Sequence, residues 1–106
     1  MCQLYVSADP LLYRWRARSL RLHGTVTSVR PENQFWDILE RMAAEEHTSS
    51  PRLLSTLHDE LLAQRGAVEN FASFLRVCCM RFEERRVMSQ GADVPRAELA
   101  PNFAVH

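Results

Sequence analysis

The residues best suited to chemistry in this sequence are its arginines. All 13 basic residues are Arg. Arg14, Arg16, Arg18, Arg21 and Arg30 lie between Pro10 and Pro31, in a window without a single acid. From Glu32 onward 12 acidic residues face 8 arginines. A guanidinium presents a planar fork of N–H donors that matches the paired acceptors of a phosphate or a guanine edge. A locally positive stretch attracts polyanions whatever the overall balance, which here is zero. The chemistry on offer is recognition of an anionic partner. The alternative use of such a stretch is an unpaired charged arm.

Catalytic and metal chemistry find no comparable support. Cys2, Cys78 and Cys79 have neither framework nor C-x-x-C spacing, and His23, His47, His58 and His106 are scattered. No Ser or Cys stands in a nucleophile context, and the three glycines form no phosphate loop. His58-Asp59-Glu60 reads as the solvated face of a helix. The expectation is a protein without enzymatic activity, metal or cofactor. No signal peptide is evident and no apolar run approaches the ~20 residues of a membrane span. With unpaired thiols, this points to a reducing cytosol.

The arginines must be positioned by the elements around them. At 106 residues the chain makes one small domain, which buries only about 60–65% of its chain surface and gains from oligomerisation. Residues 1–17 form an extension: Cys2, Leu4 and Val6 alternate as in a short strand, and Asp9-Pro10 resembles a cap leading into a helix over 11–17. Leu20 and Leu22 alternate with polar neighbours, and residues 25–29 are nearly all β-branched, which favours strand. His23-Gly24 between them suits a tight hairpin or a bend in one longer strand.

Residues 32–46 carry the clearest helical signal, with Phe35, Ile38, Leu39 and Met42 at i, i+3, i+4 and i+7. His47 stops this helix. Ser49 or Ser50 caps the next, Pro51 sits in its first turn, and Leu53, Leu54, Leu57, Leu61 and Leu62 form its stripe as far as Gly66. Asn70 opens a third helix with Phe71, Phe74, Leu75, Cys78 and Phe82 on one face, closing at Arg86. Residues 87–106 read as a disordered tail. Trp36 lies beside the main stripe, suited to covering a dimer edge or the third helix.

A lone strand followed by two amphipathic helices leaves a row of backbone groups unpaired. Pairing with the same strand of a second chain satisfies them. The order therefore implies a mainly α protein with a short β-ribbon, assembled as an intertwined homodimer.

The run Thr27-Ser28-Val29-Arg30, then Phe35-Trp36-Asp37-Ile38-Leu39, then the Ser49 cap and its Leu-rich helix, resembles the ribbon-helix-helix fold of the Arc/MetJ repressor type. The third helix, Asn70-Phe71-Ala72-Ser73-Phe74-Leu75-Arg76, and the opening MCQLYVSADP are similar to a subfamily of small bacterial members. The resemblance covers residues 18–86. It implies a sequence-specific DNA-binding homodimer acting as a transcriptional regulator and repressor, with double-stranded DNA and a second copy of the chain as partners. An antitoxin-like or adaptor dimer that binds another protein is the alternative.

The resemblance assigns alternate strand residues to the major groove. With Val29 inward, Val26, Ser28 and Arg30 face the bases, Arg30 suited to guanine and Ser28 to a base or a phosphate. A salt bridge to Glu32 is the competing use of Arg30. Arg18 and Arg21 become phosphate contacts, as do Ser49, Ser50 and Arg52 at the start of the second helix, where a simple N-cap is the competing use. Val29, Phe35, Ile38, Leu39, Met42, Leu53, Leu54, Leu57 and Leu61 make the dimer core. The chain departs from the family pattern at Pro31, which replaces an inward aliphatic and ends the strand early, and at His47, where Gly is common. Pro51 deletes an amide from the phosphate clamp.

Overall fold

The computed structural model describes residues 2–90. The elements are α1 (Cys2–Val6), a 3-10 turn (Pro10–Tyr13), β1 (Arg18–Leu22), β2 (Thr25–Val29), α2 (Asn33–Glu45), α3 (Ser50–Arg65) and α4 (Phe71–Gln90).

The N-terminal extension departs from expectation. Cys2–Val6 is a helical turn, not a strand, since alternation over five residues does not separate one period from the other. Asp9 does cap, its Oδ1 accepting from the Leu11 amide at 3.0 Å. The helix it starts ends at Tyr13, because the next residues join a ladder with the segment before α2.

That ladder organises the molecule. β1 and β2 form an antiparallel hairpin, with Arg18 opposite Val29 and Leu22 opposite Thr25. The turn residues His23 and Gly24 have φ of 52° and 83°, as a type I′ turn requires. Of the two arrangements open to residues 18–30, the chain adopts the hairpin. Its register continues past the strand ends, where Trp15 bridges Glu32. There the Arg16 amide donates to the Pro31 carbonyl at 3.1 Å and the Asn33 amide to the Arg14 carbonyl at 2.8 Å.

In an antiparallel ladder only alternate residues bond to a given neighbour. The phase set by Arg16 and Pro31 directs Thr25, Thr27 and Val29 toward β1. Val26, Ser28 and Arg30 therefore aim their main-chain groups at the other edge. The sheet has two strands, so among the described residues that edge has no strand partner.

Pro31 interrupts the ladder as expected, with β2 ending at Val29. It stands opposite Arg16 and has no N–H to return. The Arg16 carbonyl accepts instead from Trp36 Nε1 at 2.7 Å. Pro31 and Trp36 are both fully buried. Trp36 thus seals the ribbon from below within its own chain.

The hairpin's inner face, Leu20, Leu22 and Val29, packs on Trp36, Ile38 and Leu39 of α2, Leu54 of α3, and Leu75 and Cys79 of α4. Leu53 is also buried, while Phe35, Met42 and Leu57 pack partly buried against this core. Leu61 is half-buried. On α4 the expected face holds at Phe71, Phe74, Leu75 and Phe82 and differs at the cysteines. Cys79, not Cys78, occupies the fully buried position, four residues after Leu75. Its thiol donates to the Phe35 carbonyl at 3.7 Å.

Three ion pairs fasten α4: Arg76–Glu32 at 2.9 Å, Arg41–Glu83 at 3.0 Å and Arg85–Glu45 at 2.8 Å. The helix runs on to Gln90, past the boundary expected at Arg86. The remainder of the expected tail, residues 91–106, lies outside the described residues. His58, expected on a solvated face, packs edge-on against Phe71 with ring centroids 5.1 Å apart.

Candidate nucleic-acid interface

The outward face of the hairpin follows from the ladder. Side chains alternate along each strand, and cross-strand partners share a face. With Leu20, Leu22 and Val29 inward, Ser19, Arg21, Val26 and Ser28 point outward, and all four are exposed. Arg30 continues their line and is also exposed. Val26, at 63% exposure, is a bare apolar side chain on this face.

Arg30 has a neighbour that sequence reasoning missed. Its guanidinium lies 5.4 Å from the centroid of the Trp15 ring. Trp15 is 58% exposed and stands diagonal to Arg30 in the ladder, a separation that long and aromatic side chains span. The expected competitor for Arg30, Glu32, directs both carboxylate oxygens to Arg76 at 2.9 and 3.2 Å. That bidentate bond holds the Glu32 carboxyl below its ordinary range. Finding Trp15 requires the register, and the register depends on the hairpin being formed.

The inward arginines behave differently. Arg16 and Arg18 each place a guanidinium 5.6 Å from the Trp36 ring centroid. Arg18 also donates to Ser50 Oγ at 3.0 Å and lies 3.9 Å from Glu40. Arg18 and Ser50, both expected at a phosphate, are thus bonded to each other. Ser50 is only 4% exposed and its hydroxyl is engaged by Arg18. The Arg18 side chain remains 43% exposed. Their bond holds the start of α3 beside the start of β1.

At that start Ser49 is exposed and caps α3, accepting from the Arg52 amide at 3.4 Å. Arg52 itself is exposed. Pro51 has no amide, and Arg52's is taken by the cap. Of the first three helical positions, Ser50 alone keeps an amide without an acceptor among the described residues. The helix terminus retains its positive dipole end, with a reduced set of N–H donors.

Along the unpaired edge of β2 runs a groove of about 540 Å³, bordered by Thr27, Ser28, Val29 and Arg30 on one side and by His58, Val68 and Phe71 on the other. His58 Nδ1 is buried there without a hydrogen-bond partner. Arg21, on the opposite strand, donates to the Gly24 carbonyl at 3.4 Å. Among the described residues no group of three or more His, Cys, Asp or Glu is arranged to hold a metal ion, and no helix is long and apolar enough to cross a membrane.

A strand ribbon with alternate side chains outward, backed by amphipathic helices, is the architecture of a β-ribbon DNA reader. Comparison with known proteins agrees. The model of the ribbon-helix-helix domain family matches residues 15–82, and the chain belongs to that family, whose fold serves DNA-binding regulators. A solved structure of an uncharacterized protein from Bordetella pertussis Tohama I is 44% identical, with a TM-score of 0.77 over 91% of this chain and 74% of that one. Among curated proteins nothing matches.

Proposed function

We propose that the protein is a sequence-specific DNA-binding homodimer that acts as a transcriptional repressor. One observation carries the reading. Val26, Ser28 and Arg30 combine outward side chains with main-chain groups aimed at an unpaired edge. Two copies joined along that edge complete each other's backbone bonding and bring both sets of outward residues into line. The groove beside β2 receives the second strand, with His58 in its wall.

The joined sheet has the order β1-β2-β2-β1. Strands lie about 4.8 Å apart, so the central pair suits a major groove about 12 Å wide while the β1 strands rest over its rims. Val26, Ser28 and Arg30 then meet base edges, with Arg30 bidentate to guanine. Arg21 faces outward from β1, which puts it at a phosphate. At the start of α3, Ser49, Arg52 and the exposed part of Arg18 supply further phosphate contacts. Ser50 contributes its amide, since its hydroxyl is bound by Arg18.

Selection of bound fragments from a random duplex pool, with sizing of the purified protein, tests the reading. The expected result is a dimer enriching a palindromic site, with log affinity falling linearly as log salt rises. A monomer, or a dimer enriching nothing, refutes it.

A second reading has its own observation. Val77, Met80 and Val87 are exposed large apolar side chains on α4, as an antitoxin-like adaptor needs for a protein partner. It predicts co-purification with that partner and no duplex shift even at low salt.

A further inference from the structure

Resting on the DNA reading above, we infer that Trp15 is a positioning residue for base recognition, holding Arg30 for its contact with guanine. Four observations converge. The two side chains share the outward face, the guanidinium lies 5.4 Å from the indole centroid, Trp15 is largely exposed, and Glu32, the nearest acid in the chain, is engaged by Arg76. A large exposed indole contributes little to the core. Its contact with Arg30 is the use the geometry gives it.

The chemistry suits the task. A guanidinium held over an aromatic ring by a cation–π contact spends no N–H donor on a hydrogen-bond partner. Those donors are the ones a guanine O6 and N7 accept in a bidentate pair. An exposed Arg otherwise samples many rotamers and must be ordered when it binds, at a cost in affinity. The ring narrows that ensemble in advance. Trp15 is itself held by the ladder on both sides, through the Arg14 carbonyl and the Arg16 amide. The ladder thus connects the segment before β1 to the readout.

The test uses the full-length protein and the duplex that the wild type enriches from a random pool. An exposed cation–π contact of this kind contributes about 2- to 5-fold, so a dimer carrying two loses roughly 4- to 25-fold on Trp15→Ala. The loss falls on the selected duplex. Binding to a scrambled duplex, and the salt slope, stay as in the wild type, because no charge has changed. Trp15→Phe recovers part of the loss. In an Arg30→Ala background, Trp15→Ala has no further effect, which a merely structural role does not predict.

Matched melting curves check that each variant folds, and Trp15→Phe serves if Trp15→Ala does not. Equal binding by wild type and Trp15→Ala, tighter binding by Trp15→Ala, or full additivity with Arg30→Ala overturns the inference alone. A wild type that enriches no duplex overturns it together with the DNA reading.

Discussion

His47 has a φ of 57° between α2 and α3. A β-carbon makes this left-handed conformation costly, and Gly occupies it without strain. His47→Gly is therefore expected to stabilise the fold by about 0.5–1 kcal/mol, after the added freedom of Gly in the unfolded chain is counted. Gly66, at φ 79°, is the converse case. A β-carbon there meets nothing within 4 Å, so Gly66→Ala costs about 1 kcal/mol through backbone strain alone. Urea unfolding of both variants should give shifts of opposite sign with an unchanged m-value. Cys79 permits a chemical test at the same scale. Burial pushes its thiol up to about 12, so at neutral pH it stays protonated and unreactive. Alkylation followed by peptide mass mapping should leave Cys79 unmodified in the native protein and modify it after unfolding.

The elements were unequally legible before the structure was known. α2 and α3 announce themselves through apolar residues at helical spacing and through Ser49 and Gly66 at their ends, so their bounds differ by a residue or two from those expected. Cys2–Val6 misled because its alternation is too short to carry a period. On α4 only the cysteine differs from the expected face, because two adjacent thiols are equivalent candidates for one position. The candidate face was legible as far as the alternation of Val26, Ser28 and Arg30. Trp15 and the inward turn of Arg18 were not, since both depend on which residue of one strand lies opposite which of the other. Pro31 shows how the two kinds of information join. Its missing amide is plain from the residue type, but its consequence, the Trp36 bond to the Arg16 carbonyl, needs the register. Trp36→Phe should cost about 1–3 kcal/mol by stranding that carbonyl. Adding Pro31→Ala, which supplies an amide opposite Arg16, should return part of that loss in a double-mutant cycle. Between α2 and α4 the Glu32–Arg76 pair adds a pH dependence. The pair lowers the Glu32 pKa in the folded state, so its stabilisation is present above the unfolded carboxylate range and lost as pH falls through and below it. Arg76→Gln should flatten the acid limb of the stability profile and leave its slope at neutral pH unchanged.

At the scale of the whole molecule, the hairpin separates two roles that a single strand combines. β1 satisfies one edge of β2 within the chain, which folds around its own core, while the proposed assembly uses the other edge. A substitution that acts on one edge alone tells them apart. The Ser28 amide points away from β1, and the Thr27 amide points toward it. Proline on the solvent side of an edge strand removes a donor that the protomer does not use. Ser28→Pro is therefore expected to leave the hairpin and the melting transition of the isolated chain largely intact while shifting the protein from dimer to monomer. Thr27→Pro, one residue away, deletes a bond to β1 and should lower stability before it affects assembly. Sedimentation across a concentration series, paired with thermal melts, reads both quantities. If Ser28→Pro remains a dimer of wild-type affinity, association does not run through the β2 edge, and the apolar face of α4 becomes the surface to test. If it is a folded monomer, association runs through the β2 edge, and Ser28→Ala, which keeps the amide and loses the hydroxyl, separates the proposed base contact of Ser28 from the need for a joined ribbon.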